Sequence, residues 1–282
     1  MTTIQRIIKY CAIAFAIFII ISIVSSILFG LNTFSEILGF ARTEREPEPS
    51  NNIIHNEVGR DEKVEKEFDN TQIAKLKIDI EYATLTIQQG DKFKVASNTS
   101  NVEARQSEDE LVIREKNVNL FRQNSPRRII ITVPRNTVLD TIKIAAGAGE
   151  IKTEKLECKK LDLDIGAGKT TIQDLNVTQK AKIEGGAGKV EILSGEIANL
   201  NLDMGVGMFK MVSSLLGDTK INAGVGKLEV TLKNGIDKYT IKANKGIGSI
   251  TIDGKEVSDG ATYGKGENTI RIEGGIGSIT IK

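Results

Sequence analysis

The chain has 282 residues, of which 40% are hydrophobic and 27% charged, with a net charge of +1. That suffices for one large domain or two small ones with a buried core. Its lysines and arginines are spread along the chain, which leaves no basic footprint for nucleic acid. With 27 glycines against 4 prolines, the composition argues against a disordered spacer and for many tight turns or bulges between strands.

Residues 1–9 hold Arg6 and Lys9, and no charge follows from Tyr10 to Leu31. The run CAIAFAIFIIISIVSSILFG is long enough for a transmembrane helix, so residues 10–31 are expected to span a membrane. A cleaved signal would have a shorter apolar region. The basic flank before the run favours a cytoplasmic N-terminus and a repeat domain outside the cytoplasm, because orientation follows Lys and Arg near the ends. Ser22, Ser25 and Ser26 in the run read as hydroxyls bonded back to the helix backbone. Cys11 lies in the same run and Cys158 far from it, which excludes a disulfide pair and a cysteine zinc site.

Residues 32–71 are expected to be a charged linker. RTEREPEPSNNIIHNEVGRDEKVEKEFDN carries two of the four prolines and no apolar period, which suits flexible or extended chain. Its His55 is the one histidine and reads as a solvated side chain. No Ser-His-Asp or Cys-His centre is therefore available to the rest of the chain.

From residue 72 to 282 an internal repeat governs the sequence. Gly-x-Gly recurs as Gly147 and Gly149, Gly166 and Gly168, Gly186 and Gly188, Gly205 and Gly207, Gly224 and Gly226, Gly246 and Gly248, Gly275 and Gly277. The first glycines are 19, 20, 19, 19, 22 and 29 residues apart. Such a near-constant period marks stacked structural units. Around each unit apolar residues alternate: Leu161, Leu163 and Ile165 before one corner, Ala181 and Ile183 before the next, Ile221 and Ala223 before a third. After the glycines the parity shifts by one residue, to Thr170 and Ile172, Val190 and Ile192, Leu228 and Val230. A one-residue shift turns the other face of a strand inward, so the chain must bend or bulge there, where glycine is tolerated. One unit cannot bury its own apolar face, but a stack can.

The fold expected is all-β: a parallel β-solenoid with coils of about 19–20 residues, preceded by one transmembrane α-helix. The residues between the glycines (Ala148, Ala167, Ala187, Val206, Val225, Ile247 and Ile276) are expected to stack as a ladder inside the core. On the outer face Thr171, Glu191, Lys210, Glu229, Thr251 and Thr280 fall in one row, with Lys152 displaced from it by one residue. Lys210 would lie between Glu191 and Glu229, a favourable cross-strand arrangement. Residues 72–141 are expected to form irregular first coils, with Ile78, Ile80, Tyr82, Leu85 and Ile87 in the shifted pattern and strands at 110–116 and 127–134; residues 142–282 hold the regular repeats.

Three motifs tempt and fail. Gly166-Ala167-Gly168-Lys169-Thr170 ends like a phosphate loop, but Leu163 stands where the first glycine is needed. The run after Gly147 and Gly149 puts Lys152 in place of the third glycine of a dinucleotide fingerprint. Gly186-Ala187-Gly188 lacks the aspartate of calcium-binding rolls, with Val190 in its place. Asp162, Asp164 and Asp203 alternate with apolar residues, as a solvated face does. No cofactor and no metal are expected.

The units DLDIGAGKTTI, KIEGGAGKVEI and KINAGVGKLEV, with IIITVPRNTVLDTIKIAAGAGEI leading into them, resemble the bacterial putative-adhesin β-solenoid family, a domain-of-unknown-function type whose members often follow a single membrane anchor. The resemblance covers roughly residues 73–282. It implies a non-enzymatic, membrane-anchored envelope protein, an adhesin or a binding or stress-response module, with cell-wall polysaccharide or an envelope protein as partner. A bactofilin-like polymer-forming scaffold, joined by solenoid ends or edges, is the alternative. It draws on the strand GSITIK at 277–282, expected as an exposed last coil that the insertion at Gly260 to Gly266 would shield. A polysaccharide-active β-helix enzyme is a third.

Overall fold

The computed structural model describes residues 64–69, 72–116 and 126–282. Its strands hydrogen-bond into one sheet that winds as stacked coils. Three coils lie within a single continuous strand, β8 (Leu139–Ile192), which bends at its glycines without breaking its ladder. A fourth is carried by β9 (Gly195–Ala198) and β10 (Leu200–Leu216), and a fifth by β11 (Asp218–Asn222) and β12 (Val225–Leu232). Neighbouring coils pair in parallel and in register: Leu202 opposes Ile183 on one side and Ile221 on the other, and Phe209 opposes Val190 and Leu228.

Each coil turns three apolar rows inward. The first holds Ile144, Leu163, Ile183, Leu202 and Ile221, and the second Ile151, Val190, Phe209 and Leu228. The third holds Cys158, Val177, Ile197 and Leu215, closing the section before the next coil begins. Full burial of such a side chain contributes roughly 2 kcal/mol over exposure, so the stacked rows rather than any single unit hold the fold. Where the third row ends, Tyr239 fills the core: its hydroxyl accepts the Leu215 amide at 2.9 Å and donates to Asn234.

The stack is not in chain order at either end. β2 (Lys75–Ile80) and β3 (Thr84–Gly90) lie between β8 and an outer coil made of β6 (Glu110–Glu115) and β7 (Arg128–Pro134). At the other end β17 (Asn268–Glu273) and β18 (Ile276–Ile281) lie between the fifth coil and an outer coil made of β13 (Tyr239–Asn244) and β14 (Ile247–Ile252). Both outer coils are edged by antiparallel strands. β5 (Val102–Ser107) covers β6, β4 (Phe93–Ser97) covers β7, and β1 (Val64–Phe68) covers β4. β15 (Lys255–Glu256) covers part of β14, and β16 (Ala261–Tyr263) part of β13.

These pairings correct the expected fold class. The sheet is mixed, with parallel ladders between coils and antiparallel ladders at the ends, and not a wholly parallel β-solenoid. The sequence period reports the coils alone; the end strands carry no glycine corner and so left no mark in it. Among the described residues no helix is long and apolar enough to cross a membrane. The helix expected at 10–31, with residues 1–9 and His55, lies outside the described residues. Val64–Phe68, within the stretch read as linker, is strand β1. The last strand of the chain is not an exposed end: β18 is paired on both edges, by β12 and by β14. The insertion around Gly260 does shield a coil, through β16, but that coil is β13 and β14.

Candidate functional site

The repeat glycines come together as one column of corners. A methyl built on Gly166 would stand 2.2 Å from the Gly147 carbonyl oxygen, and one on Gly168 would stand 2.0 Å from that of Gly149. The same contact recurs from corner to corner through Gly186 and Gly188, Gly205 and Gly207, Gly224 and Gly226. It then passes to Gly275 and Gly277 and ends on Gly246 and Gly248. Backbone lies directly on backbone, so a side chain at these places has nowhere to go. The second glycine of each corner also has positive φ, for example +127° at Gly168. The glycines are thus structural parts of the corner.

The residue between each pair of glycines points outward. This corrects the expected inner ladder. Ala167 and Ala187 are exposed, Val225 and Ile276 are 41% and 42% exposed, and Ile247 is 74% exposed. Parity flips at the first glycine, because the bend puts the middle residue on its convex side. Tyr82, expected in the core, occupies the same place in the coil of β2 and β3 and is 45% exposed. In spatial order the ridge reads Tyr82, Ala148, Ala167, Ala187, Val206, Val225, Ile276, Ile247. Seven steps of a β ladder make it about 34 Å long. Three alanines form a low stretch between Tyr82 and the valines and isoleucines.

Charged rows run along both flanks. On the side before the glycines stand Asp164, Glu184, Asp203 and Glu273. Asp203 opposes Glu184 across the ladder, an unfavourable pairing of like charges. Asn222, the next in register, donates its amide to Asp203, and Asn244 donates to Glu273 at 3.0 Å. On the side after the glycines stand Lys169, Lys189, Met208 and Lys227. Lys189 pairs with Glu191 at 2.9 Å, and Lys227 with Glu229. The outer row beyond holds Lys210 opposite both Glu191 and Glu229, as the repeat predicts. Lys227 first, then other cations including Lys210, holds the Glu229 carboxyl below its ordinary value. Lys152 belongs to this row without displacement: it opposes Thr86, and Ile151 before it opposes Leu85.

The corner column has two different ends. At the β2 end the Glu115 carboxylate accepts the backbone amides of Glu81 at 2.8 Å and Tyr82 at 2.9 Å. In later corners the equivalent amide donates to a carbonyl one coil back, as Ile276 does to Gly224 and Ile247 to Gly275, each at 2.8 Å. Glu115 thus stands in for a missing corner, and Arg127 pairs with it; both side chains are almost wholly buried. Burial alone would raise the Glu115 carboxyl. The amides of Tyr82 and Glu81 together with Arg127 outweigh it and hold the group below its ordinary value. At the opposite end β16 pairs with Ile241 to Ala243 before the corner and β15 with Thr251 and Ile252 after it, and Ile247 between them is exposed. Sequence reasoning missed the Glu115 and Arg127 cap. Its one trace is that in ELVIRE, Glu115 falls at an inward position, two residues after Ile113.

Among the described residues no group of three or more His, Cys, Asp or Glu side chains could hold a metal ion. Cys158 is buried in the core, and burial pushes its thiol up to about 12. The arrangement offers a long, rigid, largely polar-flanked surface for contact.

The profile of the family described as Toastrack DUF4097 matches residues 73–280. No curated protein matches the chain. Among solved structures it is similar to a putative cell adhesion protein from Clostridium sporogenes, at 22% identity over 78% of this chain and 97% of that one, with a TM-score of 0.36. A putative adhesin from Bacteroides fragilis is 16% identical over 78% and 96% of the two chains, with a TM-score of 0.40. A putative lipid binding protein from Parabacteroides distasonis is 13% identical over 78% and 96%, with a TM-score of 0.30.

Proposed function

The chain belongs to the Toastrack DUF4097 family, and on that basis we propose that it is a non-enzymatic binding module of the cell envelope, adhesin-like in action. The observation that carries this reading is the outward ridge from Tyr82 to Ile247. Apolar side chains stand on it in a fixed line, and acids and lysines run along its two sides. A surface of this length suits an extended polymer, a cell-wall polysaccharide or a segment of an envelope protein, better than a small molecule, which calls for a concave pocket. The backbone stacking at every corner holds the ridge rigid, so little order is lost on binding.

The apolar run at 10–31 supports a place at the membrane, and its basic flank a repeat domain outside the cytoplasm. A tag after Lys282 in intact cells tests this. Removal of the tag by added protease without lysis supports the envelope module. Protection until the membrane is broken would overturn it.

A further inference from the structure

We propose that the slot between the fifth coil and the outer coil of β13 and β14 is a strand-acceptor site. Residues 268–282 fill it from within the chain, and the same segment of a second copy can fill it in trans.

The two coils concerned share a sequence. Gly246–Ile252 and Gly275–Ile281 both read GIGSITI, yet the later copy lies inside and the earlier one outside. The inner segment is paired along both edges. Thr269 to Glu273 oppose Asp218 to Asn222 and Thr240 to Asn244, and Ile276 to Ile281 oppose β12 and β14. Ile270, Ile272, Ile279 and Ile281 are buried there. Few other strands would fit. A methyl on Gly274 would lie 2.6 Å from the Gly246 nitrogen, and one on Gly275 or Gly277 would lie 1.8 or 1.9 Å from a carbonyl of the fifth coil. The slot therefore selects a strand with Gly-Gly-x-Gly at its corner.

The remaining differences say why the order is inverted. Before the first corner glycine, inner coils place Ile165, Met204 or Ala223 against the core. The outer copy has Lys245 there, whose ammonium reaches Glu256 at 3.0 Å. A lysine suits the outer coil, where its ammonium meets the carboxylate of the edge strand rather than the apolar core of a further coil. Arg271 and Asn268 belong to the inner place: Arg271 pairs with Asp218 at 3.3 Å, and Asn268 accepts the Gly217 amide at 2.8 Å.

The connection is short. β16 lies on one edge of β13 and β17 on the other, so residues 264–267 must cross two strand spacings, about 9.5 Å, and reverse direction. Gly264 does this with φ of +77°, and Gly266 has backbone of Lys238 and Tyr239 where a side chain would stand. Short hinges of this kind favour exchange of the segment beyond them between copies.

The test uses the full chain in detergent, with Cys11→Ser in every variant. Lys227 and Ser278 oppose each other across the β12 and β18 ladder. One tagged chain carries Lys227→Cys and another Ser278→Cys. They are unfolded together, refolded at low and high concentration, and treated with a short bismaleimide. A third chain carries both substitutions. The proposal expects the double variant to crosslink within one chain when dilute. It expects the mixed single variants to give a heterodimer whose yield rises with refolding concentration and falls when four residues are added to 264–267. A heterodimer absent at every concentration overturns the trans site. Failure of the double variant to crosslink at all would remove the slot itself. Either failure leaves the envelope reading above untouched, since the ridge carries the same residues whichever copy supplies the last coil.

Discussion

The carboxylate of Glu115 accepts the backbone amide of Tyr82 at 2.9 Å, where the corners of later coils use a glycine carbonyl from the coil before. A buried side chain thus ends the corner column, and its charge is balanced by Arg127. Removing one partner of a buried pair leaves the other unpaired and costs about 3 to 5 kcal/mol. Glu115→Ala is expected to lower the stability of the native chain by about that amount in urea unfolding, and Glu115→Gln by less, because its amide oxygen still accepts the corner amides.

The same group gives a pH dependence. Its folded carboxyl is held below the ordinary 4.5. A depressed carboxyl contributes stability that is fully present above its unfolded value and lost as pH falls through the folded one. Wild-type stability should therefore fall as the pH drops below about 4.5, and that part of the fall should be absent from Glu115→Gln. Equal acid slopes in the two proteins would contradict the assignment.

The corners predict a sharp contrast between neighbouring glycines. At Gly188, φ is +141° and an added methyl would meet the Gly168 carbonyl oxygen at 2.0 Å, whereas at Gly185 the nearest atom is 3.9 Å away. Gly188→Ala is expected to cost more than about 3 kcal/mol, through backbone strain and displacement of a stacked coil. Gly185→Ala should be neutral or stabilise by up to about 1 kcal/mol, because it narrows the unfolded ensemble. Urea midpoints of the two variants decide it.

Thr170 stands in the inner row filled one coil later by Val190, and its buried hydroxyl has no hydrogen-bond partner. An unpaired buried hydroxyl costs on the order of 1 kcal/mol or more. Thr170→Val keeps the shape and removes that cost, so its melting temperature should rise. A fall would show that the hydroxyl is satisfied in solution.

Cys158 is buried in the third row, with its thiol pushed up to about 12. In a Cys11→Ser chain no thiol reagent should label the native protein at neutral pH, and one equivalent should react after denaturation, because only the thiolate attacks. Labelling of the folded chain would mean that this row opens.

The coil period and the corner glycines were legible because each corner needs bare backbone in the same place, and the inner alternation on either side was legible for the same reason. The direction of Ala187 was not. Continuing the alternation of Ala181 and Ile183 through the corner places it inward, but the bend has already reversed the faces at Gly186. The order of the last coils could not be read either, since GIGSITI occurs in both. Lys245 against Gly274, with Arg271 and Asn268 beside it, distinguishes them, and those contrasts have meaning once the stack is seen. The Glu115 cap depends on a contact over 33 residues of chain to Tyr82, which no local pattern announces.

The central claim, that the ridge is the binding surface of an envelope module, is tested by cosedimentation of the full chain with purified cell-wall polysaccharide and with envelope protein fractions. Ala187→Glu and Ile247→Glu place a charge on the ridge without touching the core. The account predicts that the wild type binds one of these fractions and that both variants bind it about tenfold more weakly or worse, a loss of about 1.4 kcal/mol, with unchanged urea midpoints. Undiminished binding by both variants, or no binding by the wild type to either fraction, would contradict it.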